Sequence, residues 1–78
     1  MLLDVSVLTP KEVIFQGDAR SIILPGEEGV FEILPFHKRL LSRLISGVMF
    51  IDDQSFHIQR GVVKVNQNKV IIIIEEAS

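Results

Sequence analysis

The 78-residue sequence contains no cysteine, no tryptophan and no tyrosine. Without cysteine the chain can form neither a disulfide framework nor a thiolate metal cage. Two histidines twenty positions apart, His37 and His57, do not make a zinc site by themselves. The missing tryptophan and tyrosine also remove the usual stacking platform for single-stranded nucleic acid. Apolar burial therefore has to stabilise the fold, and the 47% apolar content is high enough to do so.

Charged clusters and long apolar runs are also scarce. The net charge is −2, and the one local group of basic residues, Lys38, Arg39 and Arg43, does not resemble the footprint of a nucleic-acid binder. The longest apolar run, Val70–Ile74, is too short to span a bilayer. Met1 leads straight into a strand pattern rather than a signal peptide. These features predict a cytosolic protein, or the cytosolic part of a larger assembly.

Short apolar segments recur along the chain. Leu3, Val5 and Val7 alternate with Asp4 and Ser6, which is the period of a half-buried strand. Turn residues separate such segments at intervals of about 8–12 positions, a spacing typical of an all-β sandwich or barrel. The length suits one domain, residues 1–78. The predicted strands are Leu3–Val7, Val13–Phe15, Arg20–Leu24, Val30–Leu34, Val48–Ile51, Phe56–Ile58, Val63–Val65 and Lys69–Ile74.

Four local patterns need interpretation. Thr9–Glu12 fits a capping box that opens a helix, but the β-branched and aromatic run Val13–Phe15 favours a turn followed by a strand. Leu40–Ile45 has apolar residues at helical spacing and is too short for a secure helix. Pro25-Gly26 is expected to stop the preceding strand. The all-apolar Val70–Ile74 is expected to lie centrally, with both faces covered.

Acidic pairs are the most obvious candidates for chemistry, and none fits a catalytic or metal-binding pattern. Glu27 and Glu28, between Gly26 and Gly29, lack the lysine and hydroxyl residue of a phosphate-binding loop. Their spacing matches no calcium loop either, so a solvated acidic tip is the favoured interpretation. Two further pairs, Asp52-Asp53 and Glu75-Glu76, are interpreted as turn residues and a polar tail.

No residues form a catalytic constellation in the sequence. No serine lies in a nucleophile elbow, and no acid–base pair or metal cluster is apparent. His37 is either a surface histidine that caps local backbone or a contact residue in a protein interface, and His57 is expected to face outward. The sequence therefore predicts a protein that is not an enzyme, holds no metal or cofactor, and binds partner proteins.

An ordered series of short motifs runs along the chain. The motifs are Thr9-Pro10, Phe15-x-Gly17, Leu24-Pro25-Gly26-x-x-Gly29-x-Phe31-x-Ile33-Leu34-Pro35-x-His37, Leu40-Leu41-Ser42, Gly47-Val48, Gly61-x-x-x-Val65 and Asn68-x-Val70. This series resembles a known family, the epsilon subunit of the rotary (F-type) ATP synthase. The similarity is to its amino-terminal domain and runs from about Leu3 to the last residue. Glu32, Lys38-Arg39 and Arg60 depart from the family's usual residues.

The resemblance implies a flattened ten-stranded β-sandwich in the central stalk of the synthase. Such a domain is non-catalytic, packs against the gamma subunit and rests on the c-ring, so that it helps to couple proton transport to ATP synthesis. It lies at the cytoplasmic face of the cell membrane and meets the membrane only through the complex. By resemblance, Glu27, Glu28, Gly29 and Val30 would contact the c-ring, and Thr9, His37 and Ser42 would contact gamma.

Family members usually continue into a carboxyl-terminal helical hairpin. Because the sequence stops at Ser78, that hairpin is expected to be absent, and no nucleotide binding is expected. The main alternative is a generic β-barrel that binds proteins or oligosaccharides. Such a barrel would need exposed aromatic residues or a basic groove, whereas the five phenylalanines stand at core-like positions. A small β-fold enzyme is the third possibility, and the missing constellation disfavours it.

Overall fold

The computed structural model describes residues 1–75, in which all regular structure is strand. The prediction of an all-β sandwich is confirmed, with nine strands in this part of the chain in place of the ten expected. Glu76, in the predicted polar tail, lies outside the described residues. No helix within residues 1–75 has the length and apolar character needed to cross a membrane. The strands are β1 Leu3–Leu8, β2 Val13–Ala19, β3 Ile22–Gly26, β4 Gly29–Ile33, β5 Leu40–Leu44, β6 Gly47–Ile51, β7 Gln54–Ile58, β8 Gly61–Asn66 and β9 Lys69–Ile74.

The strands form one curled sheet in the order β2-β1-β9-β8-β5-β3-β6-β7, and β4 pairs with the free edge of β3. Strands β1 and β9 are parallel, and the other pairs are antiparallel. Strand β5 meets β3 at the single pair Leu44–Gly26, so the sheet turns there from a five-stranded layer into a four-stranded layer. At the two ends of the order, the rings of Phe15 on β2 and Phe56 on β7 stack edge to face, with centroids 6.2 Å apart. The curled sheet is therefore closed at this seam by side chains.

The core lies between the two layers and consists of apolar side chains from alternate strand positions. On β9, Val70, Ile72 and Ile74 are buried, and by register Val70 lies between Val65 of β8 and Val5 of β1. No polar or charged side chain within residues 1–75 is buried. This alternation is the pattern of a sheet with one face packed on the core.

Strand β9 departs from the expectation that both of its faces are covered. Its central position between β1 and β8 is confirmed. Its outward side chains, Ile71 and Ile73, are nevertheless 41% and 48% exposed. The expectation was wrong because no strand or helix within residues 1–75 covers the outer face of the five-stranded layer.

Three local interpretations can be compared with the structure. The Thr9–Glu12 turn followed by strand β2 is confirmed. Leu40–Leu44 is strand β5 rather than a helix, because it pairs along its length with β8. The expectation that Pro25-Gly26 stops the preceding strand was wrong, since both residues belong to β3. Only the first two residues of β3, Ile22 and Ile23, pair with β6, so the missing N–H of Pro25 breaks no bond between these strands.

The phenylalanines do not all occupy core-like positions. Phe15, Phe31 and Phe56 are half-buried and pack against the core. Phe36 and Phe50 are exposed, so the expectation that all five belong to the core was wrong. Strand β6 turns Phe50 outward between buried neighbours, and Phe36 lies in the loop between β4 and β5, where no strand pairing directs it inward.

Candidate interaction surface

The β3–β4 hairpin presents the predicted acidic tip. Gly26 and Gly29 form its last pair, and Glu27 and Glu28 make the two-residue turn beyond them. Gly29 has φ 124°, a conformation that L side chains rarely adopt, so the turn depends on a glycine at this position. Both glutamates and Val30 are exposed. The hairpin therefore displays two carboxylates and an apolar side chain at its end.

An open groove of about 360 Å³ lies between this hairpin and strand β5. It is bordered by six of the seven predicted site residues, and Phe31 and Leu40 add apolar surface to it. The predicted c-ring and gamma contacts therefore largely share one concave surface, with carboxylates on the hairpin side. The six residues are Glu27, Glu28, Gly29, Val30, His37 and Ser42.

His37 and Ser42 enter the groove from the β4–β5 loop and from β5, and both are half-buried. The Nδ1 atom of His37 lies 2.8 Å from the carbonyl oxygen of Lys38, and the backbone N–H of His37 donates to the carbonyl of Leu34 at 3.1 Å. The hydroxyl of Ser42 donates to the carbonyl of Arg43 at 3.3 Å. Each side chain thus makes the local backbone contact expected of a surface residue, while it also borders the groove.

Thr9 is the predicted site residue that does not border this groove. Its Oγ1 atom accepts the backbone N–H groups of Lys11, at 3.2 Å, and Glu12, at 3.1 Å. The hydroxyl therefore holds the β1–β2 turn. The adjacent Pro10 borders a second depression of about 450 Å³, which also includes Glu27 and Arg60.

A larger feature, missed by sequence reasoning, is the exposed face of the five-stranded layer. Cross-strand pairing places Val62 of β8, Ile73 of β9, Leu8 of β1 and Val13 of β2 in one row. Together with Leu41 and Ile71, this row forms the outer apolar face, most of whose side chains are exposed. Contiguous apolar surface of this kind marks protein interaction sites. No signal in β9 could reveal it, because an all-apolar strand looks the same whether one face or both are covered.

Metal chemistry has no candidate site on these surfaces. Within the part of the chain that the structure describes, no three histidine, aspartate or glutamate residues are grouped so that they could hold a metal ion. The acidic tip contributes two carboxylates, and the nearest predicted histidine, His37, is engaged with its own loop.

The family of the chain follows from comparison with known proteins. The model of the family described as "ATP synthase, Delta/Epsilon chain, beta-sandwich domain" matches residues 2–78. The chain belongs to this family. The resemblance inferred from the motif series is therefore confirmed, and it extends over almost the whole sequence.

Curated relatives of this ATP synthase delta/epsilon domain are similar over the same region. The ATP synthase epsilon chain of Sulfurimonas denitrificans is 42% identical over 80 aligned residues, which cover 96% of this chain and 62% of the relative. The ATP synthase epsilon chain of Nitratiruptor sp. is 41% identical with the same coverage. The chain thus spans about 62% of the length of the curated relatives that it matches.

Solved structures share the fold. A chain in the Euglena gracilis mitochondrial ATP synthase assembly of OSCP, F1 and c-ring superposes with a TM-score of 0.91 at 21% identity, covering 99% of this chain and 52% of that one. A chain in the Tetrahymena thermophila mitochondrial ATP synthase central stalk and c-ring gives 0.84 at 18% identity, covering 97% and 65%. At these identities the likeness supports the β-sandwich fold.

Proposed function

We propose that this protein is a non-catalytic rotor subunit in the central stalk of an F-type ATP synthase, where it links gamma to the c-ring. The observation that carries the proposal is the family match over residues 2–78, together with relatives named ATP synthase epsilon chain at up to 42% identity. In this role the protein helps to couple proton transport to ATP synthesis, and it associates with the cytoplasmic face of the cell membrane through the complex. That residues 1–78 act as one domain is part of the same proposal.

Isolation of the complex tests this function. The full-length natural protein, tagged and expressed in its own cells, is expected to co-purify from solubilised membranes with gamma and c-ring subunits in fixed stoichiometry. Native mass spectrometry of the purified assembly measures that stoichiometry. Recovery of the tagged protein as a monomer, with the synthase intact but lacking it, would refute the proposed role.

The acidic tip is proposed to meet the c-ring. Reversing both charges, Glu27→Lys with Glu28→Lys, is expected to weaken binding to the isolated c-ring by at least about tenfold. The two lysines would repel the cationic groups that the carboxylates meet, and they could not accept hydrogen bonds from donor groups there. Titration followed by surface plasmon resonance gives the affinity. Asp53→Lys, which reverses an exposed charge at the β6–β7 turn, serves as the control and is expected to bind like the wild type. Unchanged affinity of the double variant would remove the tip from the c-ring interface.

The side of the groove nearest β5 is proposed to meet gamma. His37→Ala with Ser42→Ala is expected to weaken a gamma complex by about tenfold, because interface hydrogen bonds and packing are lost at two positions. His57→Ala with Ser55→Ala, a matched pair of exposed residues on β7, is the control. The variant at Thr9 is Thr9→Ser, which removes the methyl group and keeps the hydroxyl. Thr9→Ala would also remove the hydrogen bonds that hold the β1–β2 turn. If the two double variants bind gamma equally well, His37 and Ser42 do not contribute to that interface.

A further inference from the structure

Phe36 has an unusual backbone conformation for its residue type. Its φ is 68°, in the left-handed region, and it lies in the loop that joins β4 to β5. Glycine enters this region without steric cost, whereas a bulky residue there is an outlier. Such a strained backbone conformation persists only where surrounding contacts stabilise it, and residues of this kind cluster at functional sites.

The surrounding contacts that hold Phe36 come from the β8–β9 turn. The backbone N–H of Phe36 donates to the Oδ1 atom of Asn68 at 2.6 Å. The carbonyl of Asn68 in turn accepts the N–H of Asp4 at 2.8 Å, at the start of β1. The N–H of His37 closes the loop on the carbonyl of Leu34. The backbone of Phe36 is therefore tied by a hydrogen bond to the β8–β9 turn, and that turn is tied in the same way to β1.

The strained backbone conformation does not bury the Phe36 ring. Phe36 is 77% exposed, and Leu34, two residues earlier, is 48% exposed. Within residues 1–75 the ring is not among the side chains packed against the core. An exposed aromatic side chain on a backbone held by hydrogen bonds is suited to burial in a partner's pocket, where a few central side chains carry most of the binding energy.

We propose that Phe36, with Leu34 beside it, is an anchor that inserts into an apolar pocket on the gamma subunit, and that carboxylates on the rim of this pocket face Lys38 and Arg39. The two cations follow Phe36 directly in the same loop and are exposed, so a complementary rim is acidic. The inference rests on the proposed function, because the partner is taken from it.

A protein pocket fits these observations better than an anionic membrane does. The bond to Asn68 holds the backbone of Phe36 in one conformation, which suits a shaped cavity, whereas a lipid surface requires no fixed geometry. The chain also carries a net charge of −2.

The test uses the full-length protein titrated onto a gamma-containing stalk complex that has been stripped of this subunit. Phe36→Gly and Phe36→Asn, which both tolerate the left-handed backbone, are expected to raise Kd by at least about tenfold. Phe36→Leu retains an apolar side chain and is expected to bind within about fivefold of the wild type. Phe50→Asn, which removes an exposed phenylalanine from β6, is the matched control and is expected to bind within about twofold.

Thermal unfolding of the same variants tests the strain directly. Phe36→Gly is expected to raise the unfolding midpoint by a few degrees while it weakens binding, because the strain is relieved and the anchor is lost. A lower midpoint would show that the ring supports the fold and would overturn the inference.

The remaining outcomes separate this inference from the proposed function. If the wild type binds the stripped complex and Phe36→Gly binds equally well, the anchor is wrong and the function stands. If the wild type does not bind, both are wrong. Equal weakening by Phe36→Asn and Phe50→Asn would also overturn the anchor. So would sedimentation of the wild type, but not of Phe36→Gly, with phosphatidylglycerol vesicles, since this result would assign Phe36 to a lipid surface.

Discussion

Replacing Ile72 with alanine is expected to remove about 3 kcal/mol from the free energy of unfolding, and this is the largest loss we expect from any single truncation on β9. Ile72 is fully buried and, by register, lies between Val63 of β8 and Val7 of β1. Truncation leaves a cavity that two rigid neighbouring strands cannot fill. A domain of this size has only about 3–5 kcal/mol of stability, so only about 0–2 kcal/mol would remain and the variant should be marginally stable. Urea denaturation followed by circular dichroism measures the loss.

The adjacent residue provides the control for this prediction. Ile71 is the same residue type on the same strand, but its side chain points to the outer apolar face and is opposite Ser6 and Lys64. Ile71→Ala is expected to cost less than about 1 kcal/mol, because the side chain is already partly in water. Similar losses for Ile71→Ala and Ile72→Ala would contradict the one-sided burial of β9.

Replacing Gly61 with alanine is expected to cost about 3 kcal/mol or more, an effect as large as that of the core truncation. Gly61 begins β8 and pairs with Leu44 on one side and Ile74 on the other. A Cβ atom at this position would overlap the carbonyl oxygen of Ile73 and would lie 2.9 Å from the Cγ2 atom of Ile74. The backbone of β9 cannot move away without breaking its pairing with β1. Thermal unfolding monitored by calorimetry measures the loss.

A second glycine in a strand distinguishes this overlap from the general effect of adding a methyl group. At Gly17 of β2 the nearest atom to an added Cβ is on the ring of Phe15, at an ordinary distance of 3.7 Å. Gly17→Ala is therefore expected to change the free energy of unfolding by less than about 1 kcal/mol. If Gly61→Ala were tolerated as well as Gly17→Ala, the close approach of β8 and β9 would be wrong.

The strands could be predicted where polar and apolar residues alternate. Leu3, Val5 and Val7 are buried and the residues between them are not, as the pattern indicates. The same reasoning failed for the outer face of β9, which was expected to be covered, because the run of isoleucines contains no polar residue to mark the outer side. Leu40–Leu44 stayed ambiguous because its apolar spacing fits both a helix and a strand, and only pairing with β8 decides between them.

The motifs predicted the residues of the candidate site but not the groove that brings them together. The motif series indicated Glu27–Val30, His37 and Ser42, but nothing in their spacing shows that a bent sheet brings them to one groove. Phe36 could not be found from the sequence, because residue type predicts a left-handed backbone for glycine and not for phenylalanine. Its conformation depends on a hydrogen bond to Asn68, which is distant in sequence.

The position of β9 also has a consequence for biosynthesis. Strand β9 leaves the ribosome after the other eight strands, yet it lies between β1, the first to emerge, and β8. Until it arrives, β1 and β8 each have an open edge, and the five-stranded layer lacks its central member. Contacts between such distant segments form slowly, and unpaired edges attract other chains. Newly made protein is therefore most exposed to aggregation in the interval before β9 is available, when chaperones matter most.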